Sequence, residues 1–296
     1  MLRNLIGRYR NVLYVICAAG IGATVPAFGA YLEPLVTPFV IFLVFSSLRG
    51  LDLSEIDASS YAFLFVLSLV MSYVVFPVGG VALVGFVLDG GGVLGFAIAL
   101  SVPTTAGSAI IWTRLAGGDV QLATVISIGS LLVAPVVTPL VLTGLVGAEL
   151  GVPIRSILVD LAIIVGGGTL LAVVVPSGTV SPKTVDHGAT LAVLVLIYTS
   201  VAGVEASGIT PGHLLSVVGL SVVLVVFGLV ASLLCKRGFG LSRTRAIPLF
   251  FTGSLKNLGI ALLIALPFTD PLVVFSVIVY YVVQQFSGAI LADTIG

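Results

Sequence analysis

The chain has 296 residues, of which 59% are hydrophobic and only 8% are charged, and its mean hydropathy is +1.29. This composition excludes a water-soluble globular domain and indicates a polytopic membrane protein. The formal net charge is zero, which gives no reason to expect a nucleic-acid partner. Cys17 and Cys235 lie in or beside apolar runs without metal-ligand spacing, so neither a disulfide framework nor a metal site is predicted.

Apolar runs of membrane length follow one another along the whole chain. A span needs about 20 apolar residues, and charged or turn-forming clusters divide one span from the next. This rule predicts an all-α polytopic protein with about ten transmembrane helices. The spans lie near residues 11–29, 31–48, 60–87, 92–113, 120–146, 156–176, 187–204, 211–235, 245–267 and 270–292.

The distribution of basic residues tests this count, because Lys and Arg accumulate in cytoplasmic loops. With ten spans, the amino terminus and every second loop share one side, which carries Arg3, Arg8, Arg10, Arg49, Arg114, Lys183, Lys236, Arg237, Arg243 and Arg245. The opposite side carries Arg155 alone, and Lys256 lies inside a span. This asymmetry predicts a multi-pass protein of the cell membrane with both termini in the cytoplasm.

The loops between spans are too short for a soluble domain, so residues 1–296 are predicted to form a single transmembrane domain. An intramembrane enzyme would need a nucleophile with a base, a metal cluster or paired acidic motifs. Neither Gly-x-Ser-x-Gly nor His-Glu-x-x-His occurs, and both histidines lie near span ends. The sequence therefore predicts no enzymatic activity, no catalytic residues and no cofactor.

Two spans differ from plain apolar helices. The fourth contains VPTTAGSAI (102–110) and the ninth contains IPLFFTGSLKN (247–257), and each places a proline and then Thr, Gly and Ser at membrane depth. Close helix packing explains one such segment equally well. Their matching positions instead indicate two inverted five-helix repeats, about 1–146 and about 155–293, with discontinuous helices 4 and 9.

These stretches also resemble a known transporter family. Residues 102–142 resemble the part of the bile acid:sodium symporter family in which a proline and small residues precede a Gly-Asp pair and a helix closing in Pro-x-x-Thr-Pro. Here Gly118-Asp119 and Pro135 to Pro139 match. FLVFSSLRGLDLS (42–54) resembles the second helix of that family, and TGSLKNLGIAL (252–262) resembles its ninth. The resemblance implies a ten-helix transporter with panel and core domains, whose broken fourth and ninth helices cross in the core.

The first sodium site of the family is altered in this sequence. Sodium-coupled members use a Ser-Asn pair of the fourth helix together with hydroxyl groups of the fifth. At the matching positions Ser108 is followed by Ala109, and the fifth helix has Ala123 and Ser127.

The second sodium site has lost its carboxylate. Family members build it from a Glu and a Gln of the ninth helix and a Gln of the third, whereas the matching residues here are Thr252, Lys256 and Ser72. Because sodium requires several hard oxygen ligands with negative charge nearby, the resemblance implies a carrier whose sodium coupling is lost or much weakened.

Lys256 lies about 16 Å from either end of its span, near the bilayer midplane and too deep for its side chain to reach the interface. A central lysine costs about 2.5–3.5 kcal/mol on insertion scales and nearly always faces a cavity or a partner. One interpretation is structural, in which Lys256 pairs with a carboxylate such as Asp160 or caps a broken helix. In the other, its ammonium group occupies a former sodium site. If that group loses and regains its proton during the cycle, protons become a coupling partner.

A positive group and the positive ends of two half-helices favour an anionic substrate at the crossing. The candidate substrate-binding residues are Thr104, Thr105, Ser108, Ser127, Thr252, Ser254 and Asn257, with Lys256 and Asp160 as charge or coupling residues. Gln284 and Gln285 either line the core or form hydrogen bonds between helices. The predicted function is sodium-independent secondary active transport of a small organic anion by alternating access. The alternative is a sodium-independent or proton-coupled efflux carrier resembling the auxin and arsenite efflux proteins.

Overall fold

Helices dominate the computed structural model, which describes residues 14–49, 58–146, 154–176, 178–203 and 209–295. In chain order they are α1 (Tyr14–Thr24), α2 (Val36–Leu48), α3 (Ala58–Val70, a π-helical turn at Met71–Val75, and Phe76–Val84), α4 (Gly90–Ser101), α5 (Ala106–Leu115), α6 (Val120–Val146), α7 (Ile154–Val174), α8 (Pro182–Ala202), α9 (Pro211–Gly238), α10 (Arg243–Ser254), α11 (Leu258–Ala265) and α12 (Pro271–Ile295). Short helical turns over 26–35 lead into α2. No β-strand occurs in these ranges.

Within the described ranges, seven helical stretches are long and apolar enough to cross a membrane. They are Pro26–Leu48, Tyr61–Val84, Val120–Val146, Ile154–Val174, Pro182–Ala202, Pro211–Gly238 and Pro271–Ile295. The shorter apolar helices α1 and α4 accompany them. The predicted all-α, multi-pass membrane protein is therefore confirmed, while the count of ten spans stays a prediction.

The break between the first two predicted spans lies at Val25 and not near residue 30, as the sequence predicted. α1 ends at Thr24, Val25 has φ −133° and ψ 69°, and Pro26 begins the helical turns that continue into α2. Proline causes this break, because it has no N–H for a helical hydrogen bond and disfavours helical backbone in the residue before it. The amino-terminal arginines used for the orientation, Arg3, Arg8 and Arg10, lie outside the described residues.

The predicted fourth span is interrupted between α4 and α5. The chain leaves α4 at Ser101, is extended at Val102 with φ −76° and ψ 159°, and re-enters a helix at Ala106. Pro103 explains the position of the break for the same two reasons that apply at Pro26.

The predicted ninth span is interrupted between α10 and α11. Leu255 and Asn257 are extended, and the Asn257 side chain begins α11 by accepting a hydrogen bond from the Ile260 N–H at 3.2 Å. Asparagine is a favoured N-cap residue because its side-chain oxygen pairs with an N–H that the helix itself cannot satisfy. No proline lies at this break, so the capping residue is the local signal for it.

The two interruptions meet each other. Thr104 and Lys256 form an antiparallel bridge, in which the Thr105 N–H donates to the Leu255 carbonyl at 3.1 Å and the Asn257 N–H donates to the Pro103 carbonyl at 2.9 Å. Backbone groups that leave a helix inside the hydrocarbon region must find partners in the protein. Each broken segment therefore supplies the hydrogen bonds that the other has lost.

Two sets of helices surround the crossing. α12 packs against α4 and α9, and α2 packs against α7 and α8. The largest apolar cluster joins the two sets, with Phe96, Leu262 and Tyr280 among its fully buried or nearly buried members. The crossing is thus held in the protein interior.

Gly95 lets α4 approach α12 closely, and the expected effect of Gly95→Ala is destabilisation by about 1–3 kcal/mol. A Cβ atom at this position would lie 2.5 Å from the Val273 carbonyl oxygen, so the backbones would have to move apart. Gly219→Ala is the matched control, because a Cβ there meets nothing within 4 Å. Melting temperatures of the purified variants measure the difference, and equal values would contradict this packing.

Candidate functional site

Polar side chains hold the crossing from both sides. The Thr104 hydroxyl donates to the Thr252 carbonyl, and the Thr104 N–H donates to the Ser130 hydroxyl at 3.2 Å. Tyr73 donates from its hydroxyl to the Ser130 carbonyl at 2.7 Å. α3, α6 and the two broken segments are thereby joined in one buried hydrogen-bond network.

Gln284 of α12 pairs with the backbone of Lys256. The Lys256 N–H donates to Gln284 Oε1 at 2.9 Å, and Gln284 Nε2 donates to the Lys256 carbonyl at 3.0 Å. Both residues are buried. The side-chain amide therefore replaces the two helical hydrogen bonds that Lys256 lacks in its extended conformation.

The Lys256 side chain ends at the π-helical turn of α3. Its Nζ atom donates to the carbonyl and to the hydroxyl of Ser72, each at 2.8 Å, and lies 5.5 Å from the centre of the Tyr73 ring. The residue is only 2% exposed. Two oxygen ligands and an aromatic face thus surround an ammonium group in the protein interior.

The π-helical turn explains why the Ser72 carbonyl is free to bind Lys256. In this turn the Phe76 N–H donates to the Met71 carbonyl rather than to that of Ser72. The shifted register would next pair Ser72 with residue 77, but Pro77 has no N–H. One carbonyl in the middle of α3 is therefore left without a helical partner, and Lys256 uses it.

No carboxylate forms an ion pair with Lys256 in the described ranges, and its side-chain partners are oxygen atoms of Ser72. Asp160 lies on α7 and accepts a hydrogen bond from the Ser156 hydroxyl at 3.1 Å. The structural alternative in which Lys256 pairs with Asp160 is therefore not the arrangement found. The amino group is held by neutral groups, and the positive ends of α5 and α11 lie at the same crossing.

A cavity of about 560 Å³ lies between the two sets of helices. One wall comes from α1, α2 and α8, and the other from α5 and α12. On the second wall, Trp112 Nε1 donates to Gln285 Oε1 at 3.4 Å and Gln285 Nε2 donates to the Ser108 hydroxyl at 3.0 Å. The volume falls in the range of small-molecule sites. Gln285 faces the cavity and its neighbour Gln284 binds Lys256, so α12 connects the two.

This architecture agrees with the comparison to known families. The profile of the SBF-like CPA transporter family matches residues 11–296. The chain belongs to this family. The predicted resemblance to bile acid:sodium symporters is thereby confirmed, and membership in a transporter family indicates a small-molecule substrate in a membrane setting and points away from an enzyme. Among curated proteins, none matches this transporter.

The predicted site residues divide into two groups in this SBF-like transporter. Thr105 and Ser108 line the large cavity. Thr104, Thr252, Ser254 and Lys256 lie buried at the crossing, and Asn257 caps α11 beside it. Ser127 is buried on α6, and neither its hydroxyl nor that of Ser254 has a hydrogen-bond partner among the described residues. Thr252 donates to the Pro248 carbonyl of its own helix at 2.7 Å.

Sequence reasoning missed several residues of the site. Tyr73, Trp112 and Ser130 carry no motif, and each contributes through a tertiary contact with a distant helix. Asp186 lines the cavity from the start of α8, where it looks in the sequence like one more polar residue at a helix end. Pro77 was the one available signal for an unpaired carbonyl in α3, but α-helical geometry assigns that carbonyl to Tyr73, and only the π-helical turn shifts it to Ser72.

Gln284→Leu is expected to destabilise the protein by about 2–4 kcal/mol, because it leaves the Lys256 N–H and carbonyl unpaired in the interior. The neighbouring Gln285→Leu is the matched control, since Gln285 is half-buried at the cavity wall and pairs only with side chains. Thermal unfolding of the two purified variants provides the comparison. Losses of equal size would mean that Gln284 does not support the crossing.

Proposed function

We propose that this chain is a secondary active transporter that moves a small organic anion across the cell membrane by alternating access and without sodium. In this proposal Lys256 supplies, from within the protein, the positive charge that sodium supplies in related carriers. The contacts of the Lys256 ammonium group are the observation on which the proposal rests.

The ligands of Lys256 are the kind that sodium binds. Its Nζ atom takes a carbonyl and a hydroxyl oxygen of Ser72, both at 2.8 Å. By the family resemblance, Ser72 and Lys256 stand at the third-helix and ninth-helix positions of the second sodium site. An ammonium group that already occupies these oxygens competes with any sodium ion, which supports sodium independence.

The first sodium position is also poor in ligands. Ala109 and Ala123 are fully buried and offer no side-chain oxygen. In the second site, Thr252 stands at the position of the family's glutamate and directs its hydroxyl to the Pro248 carbonyl. With no carboxylate among these residues, binding a bare cation beside the ammonium of Lys256 would be unfavourable.

An anionic substrate can pair with the N–H groups and the lysine at the crossing. Two half-helices, α5 and α11, begin there, and their first N–H groups carry partial positive charge in addition to Lys256. Thr105 at the start of α5 lines the large cavity, so a substrate in the cavity reaches this region.

The position of the cavity supports alternating access. It lies between α1, α2 and α8 on one side and α5 and α12 on the other, so sliding of these sets past each other would close it. The meeting of two interrupted segments fits two inverted five-helix repeats within a ten-helix fold. The basic loops favour both termini in the cytoplasm.

Sodium should leave the melting temperature of the wild-type protein unchanged relative to equal potassium or choline, because Lys256 fills the cation position. Lys256→Gln places the family's own residue there and should create a sodium-specific rise. An ion at 100 times its Kd stabilises the folded state by about 2.7 kcal/mol. The measurement is thermal unfolding of the purified protein, and it requires no known substrate.

Asp160→Asn serves as the control for this experiment, since its carboxylate lies on α7 and pairs with Ser156 rather than with Lys256. It should respond to the three salts as the wild type does. A sodium-specific rise in the wild type would sink the proposal of sodium independence and restore a symporter.

A further inference from the structure

The large cavity carries a charge of the sign opposite to the one an anion alone requires. Asp186, in the second turn of α8, is the one formally charged residue among the described residues that line it. Lys256 does not line this cavity, and its backbone pairs with Gln284, which does not line it either. A cavity for a simple anion would gain nothing from a carboxylate at its wall.

The Asp186 carboxylate has no partner within the described ranges. Its backbone carbonyl accepts a hydrogen bond from the Thr190 hydroxyl at 2.9 Å, but its side chain forms neither a hydrogen bond nor an ion pair, although Lys183 lies one turn away. The side chain is exposed towards the cavity. A substrate that displaces water from this carboxylate must therefore replace the lost hydration.

The opposite wall fixes where an acceptor group of the substrate binds. Trp112 donates to the Gln285 oxygen, and the Gln285 amide nitrogen donates to the Ser108 oxygen. The Ser108 oxygen is thus engaged as an acceptor, and its own proton is left to donate. An acid group of the substrate is the natural acceptor for that proton, next to the first turn of α5.

We propose that the substrate is a zwitterion, whose acid group binds at Ser108 and whose cationic group binds at Asp186. This inference rests on the proposed transport function and adds a cationic group to the acid group of the proposed substrate. The volume of about 560 Å³ accommodates an amino-acid-sized compound with room for water or a longer chain.

The test uses two sets of three probes. Within each set, the probes share a carbon skeleton and differ in the charged groups that they carry. The first set is leucine, 4-methylpentanoate and 3-methylbutylamine, and the second is 6-aminohexanoate, hexanoate and pentylamine. Each set contains a zwitterion, the same skeleton without its amine, and the same skeleton without its carboxylate. Affinities for the purified full-length protein are measured by thermal-shift titration in sodium-free buffer.

At least one zwitterion should bind the wild type tenfold or more tightly than either of its single-charge analogues. Asp186→Asn should abolish this preference and leave the affinity for the matching anion unchanged. Ser108→Ala should instead lower the affinities for the zwitterion and for the anion alike. Asp160→Asn is the matched control and should behave as the wild type, since it removes a carboxylate that does not line the cavity. Melting temperatures without ligand should stay within error for Asp186→Asn, because its carboxylate has no protein partner.

Equal binding of an anion and its zwitterion by the wild type would overturn the inference, as would equal losses of both in Asp186→Asn. Counterflow in sodium-free proteoliposomes separates this failure from that of the proposed function. Counterflow of hexanoate without any preference for 6-aminohexanoate would support the proposed anion transport and refute the inference that the substrate is a zwitterion. Absence of counterflow with all six probes would overturn both.

Discussion

The need to pair backbone polar groups inside the membrane governs the centre of this protein. Two chain segments leave the helical conformation in the buried interior, and each unpaired N–H or carbonyl there would cost several kcal/mol. The antiparallel bridge between Thr104 and Lys256, completed by the side chain of Gln284, satisfies these groups from within the protein. Four half-helices can therefore end at one point, which gathers their terminal charges there.

Lys256 brings an ionisable amino group to this point, and neutral groups hold it. The π-helical turn in α3, followed by Pro77, releases the Ser72 carbonyl, and that carbonyl and the Ser72 hydroxyl both accept from the ammonium. A buried charge without a carboxylate partner lowers the stability of the folded state. Its retention is easier to understand as part of a binding or coupling function than as part of the framework.

The transporter separates its framework from its substrate surface along α12. Gln284 points to the crossing and maintains the backbone of Lys256, whereas Gln285 points to the cavity and orients Ser108. Because adjacent residues of one helix contact both places, a shift of α12 would be felt at the crossing and in the cavity together. Such a connection is what coupling between a bound substrate and a moving core requires.

The sequence by itself determined the solvent, the class of fold and the places where helices break. Runs of apolar residues predict spans without knowledge of the neighbouring helices. Pro103 breaks the predicted fourth span into α4 and α5 through local sterics. Lys256 stands out because a lysine at the centre of a span is costly in lipid. The same local effect at Pro26 ends the first helix at Thr24, earlier than the predicted end of the first span near residue 29. The tertiary structure decided which groups meet. Three contacts join residues that are far apart in the chain: Lys256 with Ser72, Gln285 with Ser108, and Asp186 with the other residues of the cavity wall. Hydropathy carries no information on which helix faces which, so the sequence did not predict these contacts.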